Sequence, residues 1–427
     1  MHMNIKNIAN KIFSTIFAIA MFLCVSLNMT VSVKAENITS RQPQDVSNVI
    51  DATMSKLADT VKEPAFGTIA GEWTVLCLSR GEHFEKDNAY YLDYYDRIVE
   101  YVNTKAASID MNGALHKSKS TDNSRVILAL SSIGRDATAV GNWNLTTPYE
   151  DFKWIKKQGI NGAIFALIAL DTRNYQTTDE TIRQQCIDFI LGRQLADGGW
   201  ALSGNVSDPD VTAMALQSLY PYKDSPEVLS AAEIALTCLS NMQNEDGGFA
   251  SWGTVNSESC AQVIVALTTW GINPDTDSRF IKNDKSVIDN ILTYFAENDA
   301  MFKHVITGQG DAMATDQACY ALIAYDRFLK GKTSLYDMSD TKIQVDDNNE
   351  SGNKSDNENL NSNITDTSRI PDNTIQELPK KDAENTEKNE KILIPQTGEK
   401  SYFVYYSAVF IASVFVLIYS LRILKKG

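Results

Sequence analysis

Apolar residues between positions 72 and 325 fall into two alternating patterns. The first is a short run that is apolar on nearly every side. It occurs near residues 72–78 (EWTVLCL), 124–130 (SRVILAL), 163–170 (AIFALIAL), 211–219 (VTAMALQSL), 261–267 (AQVIVAL) and 317–325 (QACYALIAY). A helix apolar all round is buried. The second pattern is amphipathic, with apolar residues at helical spacing. Examples are Tyr91, Tyr94, Tyr95, Ile98 and Val102; Ile182, Cys186, Phe189 and Ile190; Leu229, Leu236 and Leu239; and Val287, Ile288, Ile291, Leu292 and Phe295. With Leu78, Leu130, Leu170, Leu219, Leu267 and Tyr325 as corresponding ends, the buried copies lie 40 to 58 residues apart, which leaves room for one more helix in each gap. The pattern predicts six buried helices alternating with six half-exposed ones. Six such pairs favour a closed ring, with parallel inner helices and returning outer ones, because closure removes the two exposed ends of a stack.

Two copies share more than hydrophobicity. Residues 194–219 read QLADGGWALSGNVSDPDVTAMALQSL, and residues 243–267 read QNEDGGFASWGTVNSESCAQVIVAL. Each has an Asp-Gly-Gly-aromatic turn followed by an apolar helix. This turn and helix resemble the repeats of the terpenoid cyclase and protein prenyltransferase superfamily, over roughly residues 49–332. The resemblance implies an all-α fold, an (α/α)6 toroid of six helical hairpins. The chain is also similar to secreted Firmicutes proteins with such repeats, and more distantly to the α-domain of the cobalamin carriers. Such toroids host cyclases, transferases, lyases and pure binders, so the fold alone names no activity.

Parallel inner helices gather their starts at one mouth of the ring. Aligned on the repeat, these starts present Thr121, Asn161, Asp210, Glu258 and Asp316, and the aromatics Trp200, Phe249, Trp252 and Phe302 lie on the loops leading in. Convergent polar groups with aromatic walls make a ligand site. Asn161, Trp200, Asp208, Asp210, Phe249, Trp252, Glu258 and Asp316 are therefore the candidate ligand contacts. The competing reading is structural: Asp208 fits an N-cap, Pro209 the first helical position and Asp210 the first turn, and the aromatics fit plugs between helices.

The resemblance also implies chemistry that these residues test. Squalene–hopene-type cyclases use an Asp of an Asp-x-Asp-Asp motif as proton donor. Here Asp208-Pro209-Asp210-Val211 keeps two Asp positions, puts Asp210 at the donor and Val211 at the last. Protein prenyltransferases hold zinc with Asp, Cys and His. Glu258-Ser259-Cys260 resembles the Asp-x-Cys pair, but the position of the His falls at or beside Gln317. No metal site and no cofactor are predicted, and a cobalamin-like ligand remains an option because of the distant resemblance. Two carboxylates across a sugar bond would suffice for glycoside hydrolysis; Asp210 with Glu258 or Asp316 would supply them.

The flanks differ in composition. Lys6 and Lys11 precede an apolar run over residues 12–27, and Val33-Lys34-Ala35 offers a signal-peptidase site, so residues 1–35 are expected to be a secretory signal peptide. Cys77, Cys186, Cys238, Cys260 and Cys319 follow without any CxxC pair. The toroid is expected over residues 36–336. Residues 337–392 are expected to be a disordered acidic spacer, since residues 339–390 contain no Trp, Phe, Tyr or Cys. The net charge of −15 argues against a nucleic-acid partner, but about half of the acidic excess falls in that stretch, so the charge says little about the folded domain.

Residues 393–427 read as a sorting signal. Ile394-Pro395-Gln396-Thr397-Gly398 precedes an uncharged run over residues 401–421, long enough to span a bilayer as a helix, and then Arg422, Lys425 and Lys426. This order resembles the Leu-Pro-x-Thr-Gly signal of Gram-positive surface proteins, with Ile394 in place of Leu. The resemblance implies cleavage after Thr397 by sortase and attachment to cell-wall peptidoglycan on the outside of the cell. The sequence therefore reads as a wall-anchored toroid that binds an unknown small ligand or surface partner without catalysis. The alternatives are a terpenoid cyclase- or prenyltransferase-like enzyme, and an adhesin working through the outer toroid surface.

Overall fold

The structure is a computed structural model that describes residues 43–109 and 111–344. The expected signal peptide, most of the spacer, the Ile394–Gly398 motif and the span at 401–421 lie outside the described residues. Among the described residues no helix is long and apolar enough to cross a membrane.

Among the described residues twelve α-helices form six hairpins, each an outer element followed by an inner one. The first four pairs begin with α1 (Pro43–Thr60) and α2 (Glu72–Arg80), then α3 (Ala89–Ala107) and α4 (Ser120–Ser132). These are followed by α5 (Phe152–Ile155) with α6 (Gly159–Asp171), and α7 (Ile182–Leu191) with α8 (Pro209–Leu219). The last two pairs are α9 (Pro226–Met242) with α10 (Ser257–Thr269), and α11 (Val287–Leu292) with α12 (Ala312–Leu329). Inner α4, α6, α8 and α10 bury almost every residue. Outer α1 buries only the stripe Val46, Ile50, Thr53, Met54 and Leu57, and α3 only Tyr91, Tyr94, Ile98, Val102 and Ala106.

Each inner helix packs on the next, and α12 packs on α2, so the ring closes. At this seam the Thr74 hydroxyl donates to Asp316 Oδ1 at 2.9 Å, and Cys77 Sγ lies 3.2 Å from the Asp316 carbonyl oxygen. Closure leaves no hydrophobic end to cover, which is why one core runs through all six hairpins.

The repeated turn is repeated atom by atom. In one copy Leu195 N–H donates to the Gly199 carbonyl at 2.8 Å and Gly198 N–H to that of Leu195 at 2.9 Å; in the other, Asn244 and Gly247 make the same two bonds at 2.9 Å. Gln194 Nε2 bridges the carbonyls of Gly198 and Ala231, and Gln243 Nε2 those of Gly247 and Phe280, so each turn is tied to the following hairpin. Gly247 sits at φ +83°, and a Cβ there would stand 2.4 Å from the Ser286 carbonyl oxygen, so the turn needs glycine. The following aromatic carries the next inner helix. The carbonyls of Trp200, Phe249 and Phe302 accept the N–H groups of Asp208, Asn256 and Asp311, at 2.8, 3.3 and 2.8 Å. Asp208, Asn256 and Asp311 then cap α8, α10 and α12.

Four expectations are corrected. The gap of 40 residues between Leu130 and Leu170 is too short for a full outer helix, and α5 is a single turn flanked by 3-10 turns. Leu229 is exposed; Val228, Ala232, Ala235 and Leu239 form the buried stripe of α9. Short hairpins interrupt the loops of the all-α ring: β1 (Ala250–Ser251) with β2 (Thr254–Val255), β3 (Ile281–Lys282) with β4 (Lys285–Ser286), and β5 (Phe295–Ala296) with β6 (Met301–Phe302). Finally, the ordered chain runs past residue 336. Leu335 and Met338 are buried, Met338 N–H donates to the Thr172 carbonyl at 2.8 Å and Gln344 N–H to that of Gly134 at 2.8 Å.

This tail straps the face where the inner helices end. Arg80 of α2 and Arg327 of α12 are both buried, and both bond Asp340, Arg80 through Nη1 at 2.7 Å. The first and last inner helices are thus held by one carboxylate. Burial pushes Asp340 up, but the hydrogen bonds and charge of Arg80, with help from Thr333 and Arg327, outweigh it and hold the carboxyl well below its usual range.

Candidate functional site

Contacts between neighbouring helix starts establish that they share one mouth. Ser251 Oγ, before α10, donates to Asp208 Oδ2 at 2.5 Å, before α8. Ser257 Oγ donates to the Lys303 carbonyl at 2.8 Å, and Thr121 N–H to Gln158 Oε1 at 2.8 Å. This start-to-start pattern is what parallel inner helices require.

Asp208 has the capping role: its Oδ1 accepts from Asp210 N–H at 3.0 Å and Val211 N–H at 3.2 Å. Asp210, in the first turn of α8, is partly buried. Burial raises its carboxyl to about 6; the charges of Asp208 and Glu258 also raise it, while the hydroxyls of Ser259 and Ser251 pull the other way. Asp210 Oδ1 makes no hydrogen bond of ordinary geometry, although the nearby Ser259 hydroxyl also lacks a partner, and Asn161 Oδ1 at the equivalent position of α6 makes none either. Buried polar atoms are ordinarily satisfied, so two unmet acceptors on adjacent inner helices stand out. Glu258 lies at the same level on α10, with both oxygens 2.9 Å from His304 Nδ1.

The rim above is apolar and exposed. Trp252 is 76% exposed and Val206 72%; Leu202 on the segment with Val206, Ile69 and Ile306 on the segments entering α2 and α12, and Met313 in the first turn of α12 are also exposed. Trp252 and Gly253 occupy the turn between β1 and β2 with φ of +50° and +81°. That turn favours Asn or Gly, and a bulky aromatic at positive φ is an outlier.

Other candidates leave the mouth. Trp200 and Phe249 are fully buried, and Trp200 Nε1 donates to the Ile190 carbonyl at 2.7 Å, so both plug the wall and neither reaches a ligand. Phe302 is buried likewise. Asp316 lies in the seam between α2 and α12, and burial raises its carboxyl to about 7. Aligning the apolar runs puts it at the mouth, and that alignment is three residues out. Trp200 N–H and Phe302 N–H donate to Thr212 and Thr315 hydroxyls, which makes Met313 the counterpart of Asp210.

Cys260 is buried with Sγ 3.3 Å from Asn290 Oδ1, and Gln317 Oε1 accepts from Gln262 Nε2 at 3.0 Å. Glu258, Cys260 and Gln317 therefore have separate partners. Among the described residues no group of three or more His, Cys, Asp or Glu side chains is placed to hold a metal ion.

Sequence reasoning missed Glu72. Its fully buried carboxylate accepts Gly67 N–H at 3.1 Å and Arg125 Nε at 3.2 Å, and Arg125 Nη1 reaches Asp122 at 2.9 Å. Burial raises Glu72 to about 7 against the pull of Arg125. An acid opening an apolar run (EWTVLCL) was the available signal. Sequence reasoning also missed a cavity of 620 Å³ at the opposite end of the ring, where α6, α8 and α10 finish against the tail.

A model of the prenyltransferase alpha-alpha toroid domain matches residues 144–325, which span the last four hairpins. The folded part is an α/α toroid. Among solved structures, an unsaturated glucuronyl hydrolase from Streptococcus agalactiae is 11% identical, with a TM-score of 0.44 over 68% of this chain and 92% of that one. A polysaccharide lyase is 14% identical, with a TM-score of 0.41 over 71% of this chain and 99% of that one. No curated protein matches the chain.

Proposed function

We propose that this chain is a binding protein held outside the cell, which takes its ligand at the mouth formed by the starts of the inner helices and does not transform it. The observation that carries this reading is the pair of unmet acceptors, Asp210 Oδ1 and Asn161 Oδ1, below a rim of exposed apolar side chains. They call for a hydrogen-bond donor, and the rim for an apolar body. Trp252, exposed and in strained backbone, supports the same place, because strain of this kind clusters at ligand sites. Display outside the cell rests on the sequence order: a leader over residues 1–35, a spacer, Ile394–Gly398, an apolar run and a basic end.

One observation favours a second reading. A carboxyl raised to about 6, as Asp210 is, suits a general acid near neutral pH. Against it, Val211 stands where the cyclase motif has its last Asp, and an apolar side chain cannot tune a proton donor by hydrogen bonding.

The experiment is the double change Asp210→Asn with Glu258→Gln, which removes charge and keeps size. The probe is dansylcadaverine, an ammonium on an apolar fluorescent body. The wild type is expected to enhance its fluorescence saturably. Each charge-assisted hydrogen bond is worth about 1.5–3 kcal/mol, so the double variant is expected to bind roughly ten- to a hundred-fold more weakly per lost contact. Its melting temperature should change little, since charge at a helix start contributes only about 0.3–1 kcal/mol. Unchanged binding would move the site to the outer face and favour the adhesin. Conversion of squalene that disappears with Asp210→Asn would establish the enzyme instead.

Anchoring has its own test. Muramidase, and not detergent, is expected to release the protein from cells, and Thr397→Ala is expected to leave it extractable by detergent. Detergent release of the unchanged protein would refute wall attachment.

A further inference from the structure

The 620 Å³ cavity at the far face has two walls. One is the ring, through Gln217 and Thr269; the other is the tail, through Ser334, Tyr336 and Ser339. The tail wall is fixed in place. The Thr172 hydroxyl donates to the Tyr336 carbonyl at 2.6 Å, and Arg173 Nη1 to that of Thr341 at 2.7 Å.

The charges lining the cavity are already engaged. Asp171 accepts Arg183 Nε at 2.7 Å on one oxygen and the Tyr222 hydroxyl at 2.7 Å on the other, and Arg183 Nη2 also bonds the carbonyls of Leu170 and Tyr175. Arg173 is spent on the tail, and Asp337 Oδ1 accepts Ser339 N–H at 3.0 Å. Asp171 and Arg183 neutralise each other, and the remaining two lining charges, Arg173 and Asp337, are of opposite sign, so the lining carries no net charge.

Gln217 is different. Its Nε2 donates to the Gln262 carbonyl at 2.9 Å, and Gln262 Nε2 passes the chain on to Gln317 Oε1 at 3.0 Å and the Tyr320 hydroxyl at 2.6 Å. A backbone carbonyl only accepts, so the Gln217 amide nitrogen must face it and the amide oxygen must face away. Gln217 is 5% exposed, and its Oε1 receives no hydrogen bond. A network that runs through the ring interior thus ends on the buried, unmet acceptor of a residue that lines the cavity.

We propose that this cavity is a second ligand site, distinct from the mouth, for a neutral hydroxyl-bearing small molecule of the saccharide class. A ligand hydroxyl donates to Gln217 Oε1, and the rings of Tyr222, Tyr336 and Pro221 offer apolar faces to its C–H surfaces. The volume lies within the roughly 300–1,000 Å³ common to small-molecule sites. The tail is a structural part of the site, so by linkage a bound ligand also holds the strap down.

The test uses the full chain in detergent micelles, with cellobiose and N,N′-diacetylchitobiose as probes followed by saturation-transfer NMR. At least one disaccharide is expected to show saturable transfer. Ser339→Trp fills the cavity from an exposed position of the tail and is expected to weaken binding at least ten-fold with no change in melting temperature. Gln217→Met removes the acceptor at similar size and is expected to do the same. It also breaks the bond to Gln262, so Ser339→Trp keeps the test independent of folding. The Asp210→Asn, Glu258→Gln double variant is expected to bind these probes as the wild type does. No transfer from either disaccharide, or equal binding by Ser339→Trp, would overturn the assignment.

Discussion

Trp200→Ala is expected to destabilise the toroid by about 3–5 kcal/mol, the range for emptying a fully buried large aromatic site. Trp200 is 0% exposed, so its whole ring volume becomes cavity, and the Ile190 carbonyl loses the indole donor at 2.7 Å. The backbone bonds that Trp200 makes to Asp208 and Thr212 remain, but the ring that holds them in place is gone. Urea unfolding should show the loss as a lower midpoint. Trp252→Ala is the matched control: this tryptophan is 76% exposed and alanine relieves its positive φ little, so the midpoint should be nearly unchanged. If the two substitutions had equal effects on stability, the division between plug and rim would be wrong.

That division also marks what the sequence made legible. The Asp-Gly-Gly-aromatic turn was readable because a sharp turn needs glycine at positive φ and the aromatic must then enter the core; both are local demands. The apolar inner runs were readable because burial on all sides leaves no polar face. The ligand role of Trp200 and Phe249 was not decidable at that level, since an aromatic at a loop end can turn inward or outward. Only the carbonyl bonds to Asp208 and Asn256 fix the ring direction.

The displaced Asp316 had a different cause. Apolar runs slide along each other by one helical turn without losing their match, so the alignment of α12 on Leu267 and Tyr325 had no unique register. The pattern Asp208-x-x-x-Thr212 and Asp311-x-x-x-Thr315 would have fixed it, because the cap and the threonine that receives the preceding aromatic N–H are tied to one geometry. The cavity at the far face was out of reach altogether. It is built between Gln217 and a tail segment whose composition reads as spacer, and the contact between them is long-range.

The correction to Asp316 leads to the second large effect, a stability that falls as pH rises. Burial raises Asp316 from 3.8 to about 7 and Glu72 from 4.5 to about 7, with Thr74 and Arg125 opposing. Between the unfolded and folded values, the native state binds more protons than the unfolded chain, so the slope of unfolding free energy against pH is negative. The stabilisation is complete below about pH 4 and is lost as pH passes through about 7. Asp340 acts in the opposite sense, but its carboxyl is held below the usual range, so its contribution is lost only in stronger acid and is constant from pH 5 to 8. A tenfold difference in proton affinity between the folded and unfolded chain is worth about 1.4 kcal/mol, and the Asp316 share of the loss is on the order of 3 kcal/mol. Asp316→Asn keeps the size and the acceptor for the Thr74 hydroxyl but cannot ionise. The variant's advantage over the wild type is expected to widen by about that share between pH 5 and pH 8, and the variant keeps the part of the slope due to the other raised carboxyls, Glu72, Asp171 and Asp210. Urea unfolding at the two pH values measures it. An equal slope in wild type and Asp316→Asn would mean that the α2–α12 seam admits water and that Asp316 is not a buried acid at all.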